Sequence, residues 1–281
     1  MEILNDVSKV REIVKGWKAE GLKVGLVPTM GYLHEGHESL IKRAVSENDR
    51  VIVSVFVNPT QFGPNEDLDK YPRDLGRDSK LCENAGASLI FHPESEDMYH
   101  KNASTFVEVG GLTTGLCGSS RPTHFRGVCT VVSKLFNIIP AHRAYFGEKD
   151  AQQLAVIKRM VRDLNFDIKI VGCPIVREED GLAKSSRNIY LSSEERKAAL
   201  ALNKSLSMAK KLLDDGERNA DNIKKLIREN IEKEDLAKID YIVVVSSESL
   251  ENVQDIKEDV LVALAVKFEN ARLIDNFTYH I

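Results

Sequence analysis

Two histidines, His34 and His37, stand three positions apart just after a short apolar run has ended. The segment reads Val24-Gly25-Leu26-Val27-Pro28-Thr29-Met30-Gly31-Tyr32-Leu33-His34-Glu35-Gly36-His37. Pro28 and Gly31 break the run into a turn. A helical pattern follows, carried by Leu40, Ile41, Ala44 and Val45. A helix start offers unpaired N–H groups and the positive end of the helix dipole. Two imidazoles beside it make a candidate anion site, suited above all to phosphate. Ordinary surface histidines are the plain alternative. Zinc is the other, but His-Glu-Gly-His lacks the H-E-x-x-H spacing and no third ligand is evident.

Other polar stretches supply matching chemistry. Gly147-Glu148-Lys149-Asp150 puts a compact cation next to a carboxylate. Lysine suits phosphate oxygens, and the carboxylate suits ribose hydroxyls; a surface ion pair, or Asp150 as a helix cap, is the competing reading. Lys184-Ser185-Ser186-Arg187 is cationic and rich in hydroxyls, as in a loop that closes over a polyphosphate. It reads equally as a solvated linker. Asn58 and Gln61 can bind a hydroxyl or carboxylate without adding charge, or satisfy their own loop's backbone. Arg121 and His124 can meet a carboxylate. The chain carries no P-loop, no G-x-G-x-x-G fingerprint at Gly110-Gly111 and no nucleophile elbow. ATP use without a P-loop points to nucleotidyl rather than γ-phosphoryl transfer.

These stretches need a scaffold that brings them together. The spacing predicts a helix from Asp6 or Ser8 to about Glu20 and strands at Val24–Val27, 50–57 and 88–91. A strand is also predicted at 105–109 and a buried helix at 128–139; 144–146 is too short to read as a strand on its own and is followed by a helix to about 164. Alternating strands and helices imply a parallel sheet with right-handed crossovers. Met30–His37, Asn58–Gln61, Gly147–Gln153 and Val176–Arg187 each follow a strand, on the sheet edge where ligands bind. Beyond Val176 the composition turns charged and polar. Two long helices, 193–215 and 220–233, precede strands near 239–245, 260–266 and 273–277. The expected fold class is therefore α/β, a Rossmann-like parallel-sheet domain over residues 1–176 with a smaller α+β domain over 177–281.

The chain has 281 residues, 42% hydrophobic, with a net charge of -4, which suits a packed core and gives no reason to expect nucleic-acid or membrane partners. The N-terminus lacks the basic and apolar regions of a signal peptide. Cys82, Cys117, Cys129 and Cys173 show no C-x-x-C spacing, so reduced thiols in a cytoplasmic protein are expected rather than disulfides or zinc.

The ordered motifs resemble the pantoate–β-alanine ligase family. The resemblance is carried by Pro28–His37, Val57-Asn58-Pro59-Thr60-Gln61-Phe62, Tyr71-Pro72-Arg73 and His124-Phe125-Arg126-Gly127-Val128. It continues through Phe146-Gly147-Glu148-Lys149-Asp150-Ala151-Gln152-Gln153 and Leu182-Ala183-Lys184-Ser185-Ser186-Arg187-Asn188. It implies a nucleotidyltransferase with a Rossmann-like domain and a smaller C-terminal domain, forming a homodimer; the C-terminal part itself reads as a lid or dimerisation domain. ATP and pantoate would form a pantoyl adenylate with release of pyrophosphate, and β-alanine would then displace AMP.

Carried over by position, the resemblance assigns ATP binding to Met30, Gly31, Tyr32, Leu33, His34, Glu35, Gly36 and His37. It assigns the same role to Gly147, Glu148, Lys149, Asp150, Val176, Lys184, Ser185, Ser186 and Arg187. His37, His34, Lys149 and Arg187 would act on the reacting phosphates. Gln61 and Gln153 would hold the small substrates, with Asn58, Arg121 and His124 contributing. ATP would bring Mg²⁺, with Asp78 the one acidic side chain considered for it; no resident metal or prosthetic group is expected. Thr123 and Cys129 depart from the usual glycine and alanine, and Lys184 adds a cation where methionine or leucine is common. A nucleotidyltransferase that leaves the nucleotide on its product, and a nucleotide sensor without turnover, are the rival functions.

Overall fold

The computed structural model describes every residue from 1 to 281 except Asn65. The first unit opens with β1 (Glu2–Leu4) and α1 (Val7–Ala19), capped by Asp6, whose side chain accepts the Ser8 and Lys9 N–H groups. Next come β2 (Val24–Thr29), α2 (Glu35–Glu47), β3 (Arg50–Val55), α3 (Leu75–Asn84) and β4 (Leu89–Phe91). The short helices α4 (Ser95–Met98) and α5 (Cys117–Ser120) lead to α6 (His124–Ile138), β5 (Arg143–Gly147), α7 (Ala151–Asp163) and β6 (Lys169–Cys173). The six strands form one parallel sheet in the order β1-β4-β3-β2-β5-β6. Its central strands are apolar on both faces, as parallel strands under helices must be. Leu26, Val27, Ile52, Val53, Ile90 and Tyr145 are fully buried.

The order matters for function. From β2 the chain moves one way, to β3 and β4, and later returns on the other side to β5 and β6. The C-terminal ends of β2 and β5 therefore flank a topological switch point, where α/β sheets open a crevice.

The second unit holds α8 (Ser193–Ala198), α9 (Leu200–Asp214), α10 (Ala220–Ile231), β7 (Lys238–Ser246), β8 (Val260–Lys267) and β9 (Arg272–Tyr279). The strands form an antiparallel sheet in the order β7-β8-β9. Val260, Val262, Leu264 and Val266 share a core with Leu202, Leu206, Ile223, Ile227 and Ile231. Each such burial contributes about 1.5–3 kcal/mol. That far exceeds the few tenths available to a surface pair such as Lys225–Glu229, so the apolar face decides how α10 sits.

Three secondary-structure expectations meet corrections. Residues 105–109 form no strand. The Val107 N–H donates to the Thr130 hydroxyl at 3.0 Å and Arg126 stacks over Phe106, so α6 takes the partners a ladder would need. The helix expected at 193–215 is two helices, joined by a tight turn in which Leu202 N–H donates to the Ala199 carbonyl. β1 lies outside the expected strands; three residues carry too little pattern, and pairing with β4 makes them a strand. The chain divides into compact units of 1–148 with 153–174, and 149–152 with 175–281. Residues 149–152 thus group with the second unit, tied by the Asn276 side chain, which donates to the Lys149 carbonyl at 2.8 Å.

Candidate active site

The site grows outward from the end of β2. The Thr29 hydroxyl donates to the Ser54 carbonyl on β3 at 2.7 Å and accepts the Gly31 N–H at 3.2 Å. The chain then turns through two residues of positive φ, Gly31 at 84° and Tyr32 at 50°. For tyrosine this conformation is costly and persists only where neighbours enforce it. Asp78, in the first turn of α3, enforces it. One carboxylate oxygen accepts the Tyr32 N–H at 2.8 Å and the other the Leu33 N–H at 2.7 Å. Asp78 is 1% exposed. Burial pushes its carboxyl above the ordinary range, and the Leu33 and Tyr32 N–H groups only partly offset that. Weighed from sequence as a magnesium ligand, Asp78 spends both oxygens on backbone.

The loop delivers the chain to α2 with His34 as its N-cap. His34 Nδ1 accepts the Gly36 N–H at 3.1 Å, and His37 Nδ1 accepts the His34 N–H at 3.3 Å. The ring centroids lie 4.1 Å apart. A ring nitrogen that accepts an N–H carries no proton, so each neutral imidazole holds its proton on Nε2. Reciprocal capping therefore makes both Nε2 atoms donors at the positive end of α2. Met30, Gly31, Tyr32, Leu33, Glu35 and Gly36 build this turn and the first helical residues.

A second loop follows β3. Asn58 is 1% exposed and caps a 3-10 turn, Pro59–Gln61. Its Nδ2 donates to Gln61 Oε1 at 3.2 Å and to the Gly127 carbonyl at 3.1 Å. Its Oδ1 accepts the Tyr99 hydroxyl at 2.8 Å and the Thr60 hydroxyl at 3.0 Å. Burial raises the Tyr99 phenol, which suits a donor. The Asn58 amide is thus engaged by the protein at both ends, and it orients Gln61. Gln61 Nε2 donates to Met30 Sδ at 2.9 Å, joining the second loop to the first.

Arg121 and His124 hold the main chain of the same residue. His124 Nδ1 donates to the Gln61 carbonyl at 3.0 Å and Arg121 Nη2 reaches it at 3.5 Å. His124 Nε2 then accepts from Arg121 Nη1 at 3.2 Å. The carboxylate that Arg121 meets is Glu66, gripped through Nε at 2.9 Å and again through Nη2. Burial pushes the Glu66 carboxyl up, but the Arg121 hydrogen bond and charge outweigh it and hold it below the ordinary range. Gly127 allows α6 to lie against the turn: a Cβ there would sit 2.4 Å from the Thr60 carbonyl oxygen. Gln153 lies half-buried in the first turn of α7, past Gly147 and Glu148 at the end of β5.

The remaining expected residues belong to the second unit. Lys149 Nζ lies 3.7 Å from Asp150 Oδ2. Val176 begins a hairpin: its carbonyl accepts the Lys184 N–H at 2.9 Å, Arg177 bridges Ala183, and Gly181 turns at φ 95°. The hairpin carries Lys184 to Arg187. The Ser185 hydroxyl accepts the Arg187 N–H at 3.3 Å and starts a 3-10 turn over Ser186–Tyr190. Glu178 ties the base by accepting from Asn188 Nδ2 at 2.9 Å and Arg196 Nη2 at 3.1 Å. The segment expected as a loop over a polyphosphate, or else a solvated linker, is thus a 3-10 turn at the end of a hydrogen-bonded hairpin.

Two connected sets result. Met30–His37, Asn58, Gln61, Arg121 and His124 share one; Lys149, Asp150, Val176 and Lys184–Arg187 lie in the other unit. Sequence reasoning missed Glu66, Tyr99, Thr60 and Gly127, and the loop-clamping role of Asp78. Apart from Thr60, which meets Asn58 two positions before it, their partners lie tens of residues away in the chain, where spacing carries no signal.

Residues 2–278 match the family model described as pantoate-beta-alanine ligase. The pantothenate synthetase of Enterococcus faecalis is 67% identical over the full length of both chains, and that of Clostridium acetobutylicum 66%. The solved pantothenate synthetase of Thermus thermophilus is 45% identical with a TM-score of 0.92, covering 99% of both chains. The Francisella tularensis pantoate-beta-alanine ligase, solved with beta-gamma ATP and beta-alanine, is 36% identical with a TM-score of 0.80, covering 99% of this chain and 97% of that one. On these matches and on the motifs that build the site, the chain belongs to the pantoate–β-alanine ligase family.

Proposed function

We propose that this chain condenses pantoate with β-alanine in two steps on one ATP. In the first, a pantoate carboxylate oxygen attacks the α-phosphorus, the bond from that phosphorus to the bridging oxygen breaks, and pyrophosphate leaves. In the second, the β-alanine amine attacks the acyl carbon of the pantoyl adenylate and AMP leaves as the amide forms. The nucleophile of the first step is already an anion, so alignment and charge neutralisation matter more than a strong base.

The observation that carries this reading is the pair of Nε2 donors of His34 and His37 at the start of α2, beside a Gln61 fixed through Met30. Donors fixed before the reaction stabilise charge as it develops on phosphate oxygens. Lys149 and Arg187 supply cations for the leaving pyrophosphate. Asp150 holds the ribose and Val176 the adenine, with Gly147, Glu148, Lys184, Ser185 and Ser186 completing the ATP contacts. Gln61 and Gln153 hold pantoate, and Gln61 also meets β-alanine. The second unit acts as a lid that brings its cations to the nucleotide.

Mg²⁺ travels with ATP as part of the substrate. Among the described residues no three His, Cys, Asp or Glu side chains gather to hold a metal. A hard cation that keeps phosphate and water oxygens as most of its ligands fits that donor set. The working unit is a homodimer. A cytoplasmic setting accords with four buried cysteines outside any disulfide. No described helix is long and apolar enough to cross a membrane.

Incubation with ATP, pantoate and β-alanine tests the reading. AMP, pyrophosphate and one new amide should appear in equal amounts. ADP in place of AMP, or AMP without the amide, would overturn it.

A further inference from the structure

Asp275 and Asn276 are neighbours in β9, a strand that also contributes Leu273, Ile274 and Phe277. Both are almost fully buried. Successive residues of a strand face opposite sides of the sheet. Asp275 lies in register with Leu264 of β8, on the apolar face. A buried carboxylate is costly unless paired and hydrogen-bonded. Arg177 pairs with it as a fork, Nη1 donating to Oδ2 at 2.7 Å and Nη2 to Oδ1 at 3.0 Å. Oδ1 also accepts the Asn276 N–H at 2.8 Å, and Arg177 Nη1 donates to the Gly181 carbonyl at 3.2 Å. The guanidinium therefore ties the first arm and the turn of the hairpin that carries Lys184 to Arg187. Asn276, from the other face, donates Nδ2 to the Lys149 carbonyl at 2.8 Å.

We infer that Asp275 and Asn276 are positioning residues, which fix Lys149 and the Lys184–Arg187 segment at one spacing so that both meet the same triphosphate. The inference rests on the reading of those residues as ATP ligands. One residue step along a strand separates the two anchors, and a paired strand holds that step more rigidly than a loop. The cations matter while pyrophosphate is leaving. Once it has left, amide formation needs only pantoyl adenylate and the amine. Loss of the anchors should therefore damage the first step and spare the second.

Asn276→Leu keeps the size and removes the N–H donor without burying a charge; Asp275→Asn keeps the shape and removes the charge opposite Arg177. Each is assayed twice in the full-length protein: by pantoate-dependent exchange of pyrophosphate into ATP, and by AMP release from supplied pantoyl adenylate and β-alanine. In N276L, exchange should fall about 10²-fold through kcat, the scale set by misplacing a reacting group by an ångström. AMP release from the supplied intermediate should match the parent enzyme. Equal loss in both assays would reduce the pair to a merely structural role, and no loss in either would remove it from the reaction. Should D275N fail to fold, N276L decides, with thermal unfolding checking that its own fold is kept. Failure of the parent enzyme itself to turn over pantoyl adenylate would instead overturn the two-step reaction, and this inference with it.

Discussion

His37 Nδ1 accepts the backbone N–H of His34 at 3.3 Å. That bond makes each histidine the keeper of the other, because His34 Nδ1 caps the helix on which His37 rides. In neutral rings both protons should sit on Nε2, which nitrogen-15 NMR of the labelled imidazoles reads directly. A proton on Nδ1 of His37 in the neutral ring would contradict the capping geometry.

His34→Asn separates capping from chemistry. Asparagine is a good N-cap, so thermal unfolding should hardly move, yet the Nε2 donor is gone. Pantoate-dependent pyrophosphate exchange should fall by about 10²–10³, the range for losing one positioned donor. Retained exchange would take His34 out of the phosphate site.

Asp78→Ala leaves the Tyr32 and Leu33 N–H groups without their acceptor. Each buried N–H so orphaned costs about 1–3 kcal/mol. Urea unfolding should report a loss in that range or somewhat above it, with weaker ATP binding because the turn at Gly31 and Tyr32 relaxes. Undiminished stability would show that the turn holds itself.

Gly127→Ala should push the 3-10 turn away from α6. Overpacking of this kind costs about 1–3 kcal/mol. The added Cβ meets the Thr60 carbonyl and the Gln61 N–H. The KM for pantoate should therefore rise more than the KM for ATP. An equal rise for both substrates would argue against Gln61 as the pantoate contact.

Glu66 gives the site an acid limit. Its folded pKa lies below the unfolded one, since the Arg121 pairing outweighs the burial that raises it. Its contribution is therefore present above the ordinary glutamate value of about 4.3 and is lost as pH falls through the lower folded value. Denaturant unfolding across that window should show the parent losing stability faster than Glu66→Gln. Parallel curves would mean the Glu66–Arg121 pair contributes nothing measurable.

How far the chain was legible follows from where each signal lies. The strand at Val24–Thr29, the turn at Gly31 and the helix behind His37 are local, and their pattern of apolar and breaker residues can be read directly. The hairpin bearing Lys184 to Arg187 was not readable, because a Glu178–Arg196 pair and an Arg177–Asp275 fork make it. Pattern suggested a strand at 105–109, where Thr130 had already taken the Val107 N–H. Arg121 and His124 read as substrate ligands in the sequence, and their Glu66 and Gln61 partners became visible only in three dimensions.

Residues 149–152 leave the first unit and return to it within four positions. This bears on how such a protein can be recombined. A crossover at the boundary near residue 175 would exchange the second unit for a relative's while keeping the old Lys149. The grafted half would have to bring its own residue at position 276 to receive it. Chimaeras should therefore tolerate crossovers that carry the short excursion along with the second unit better than a single cut between the halves. Inheritance here runs by contact, and the linear map is a poor guide to which pieces must travel together.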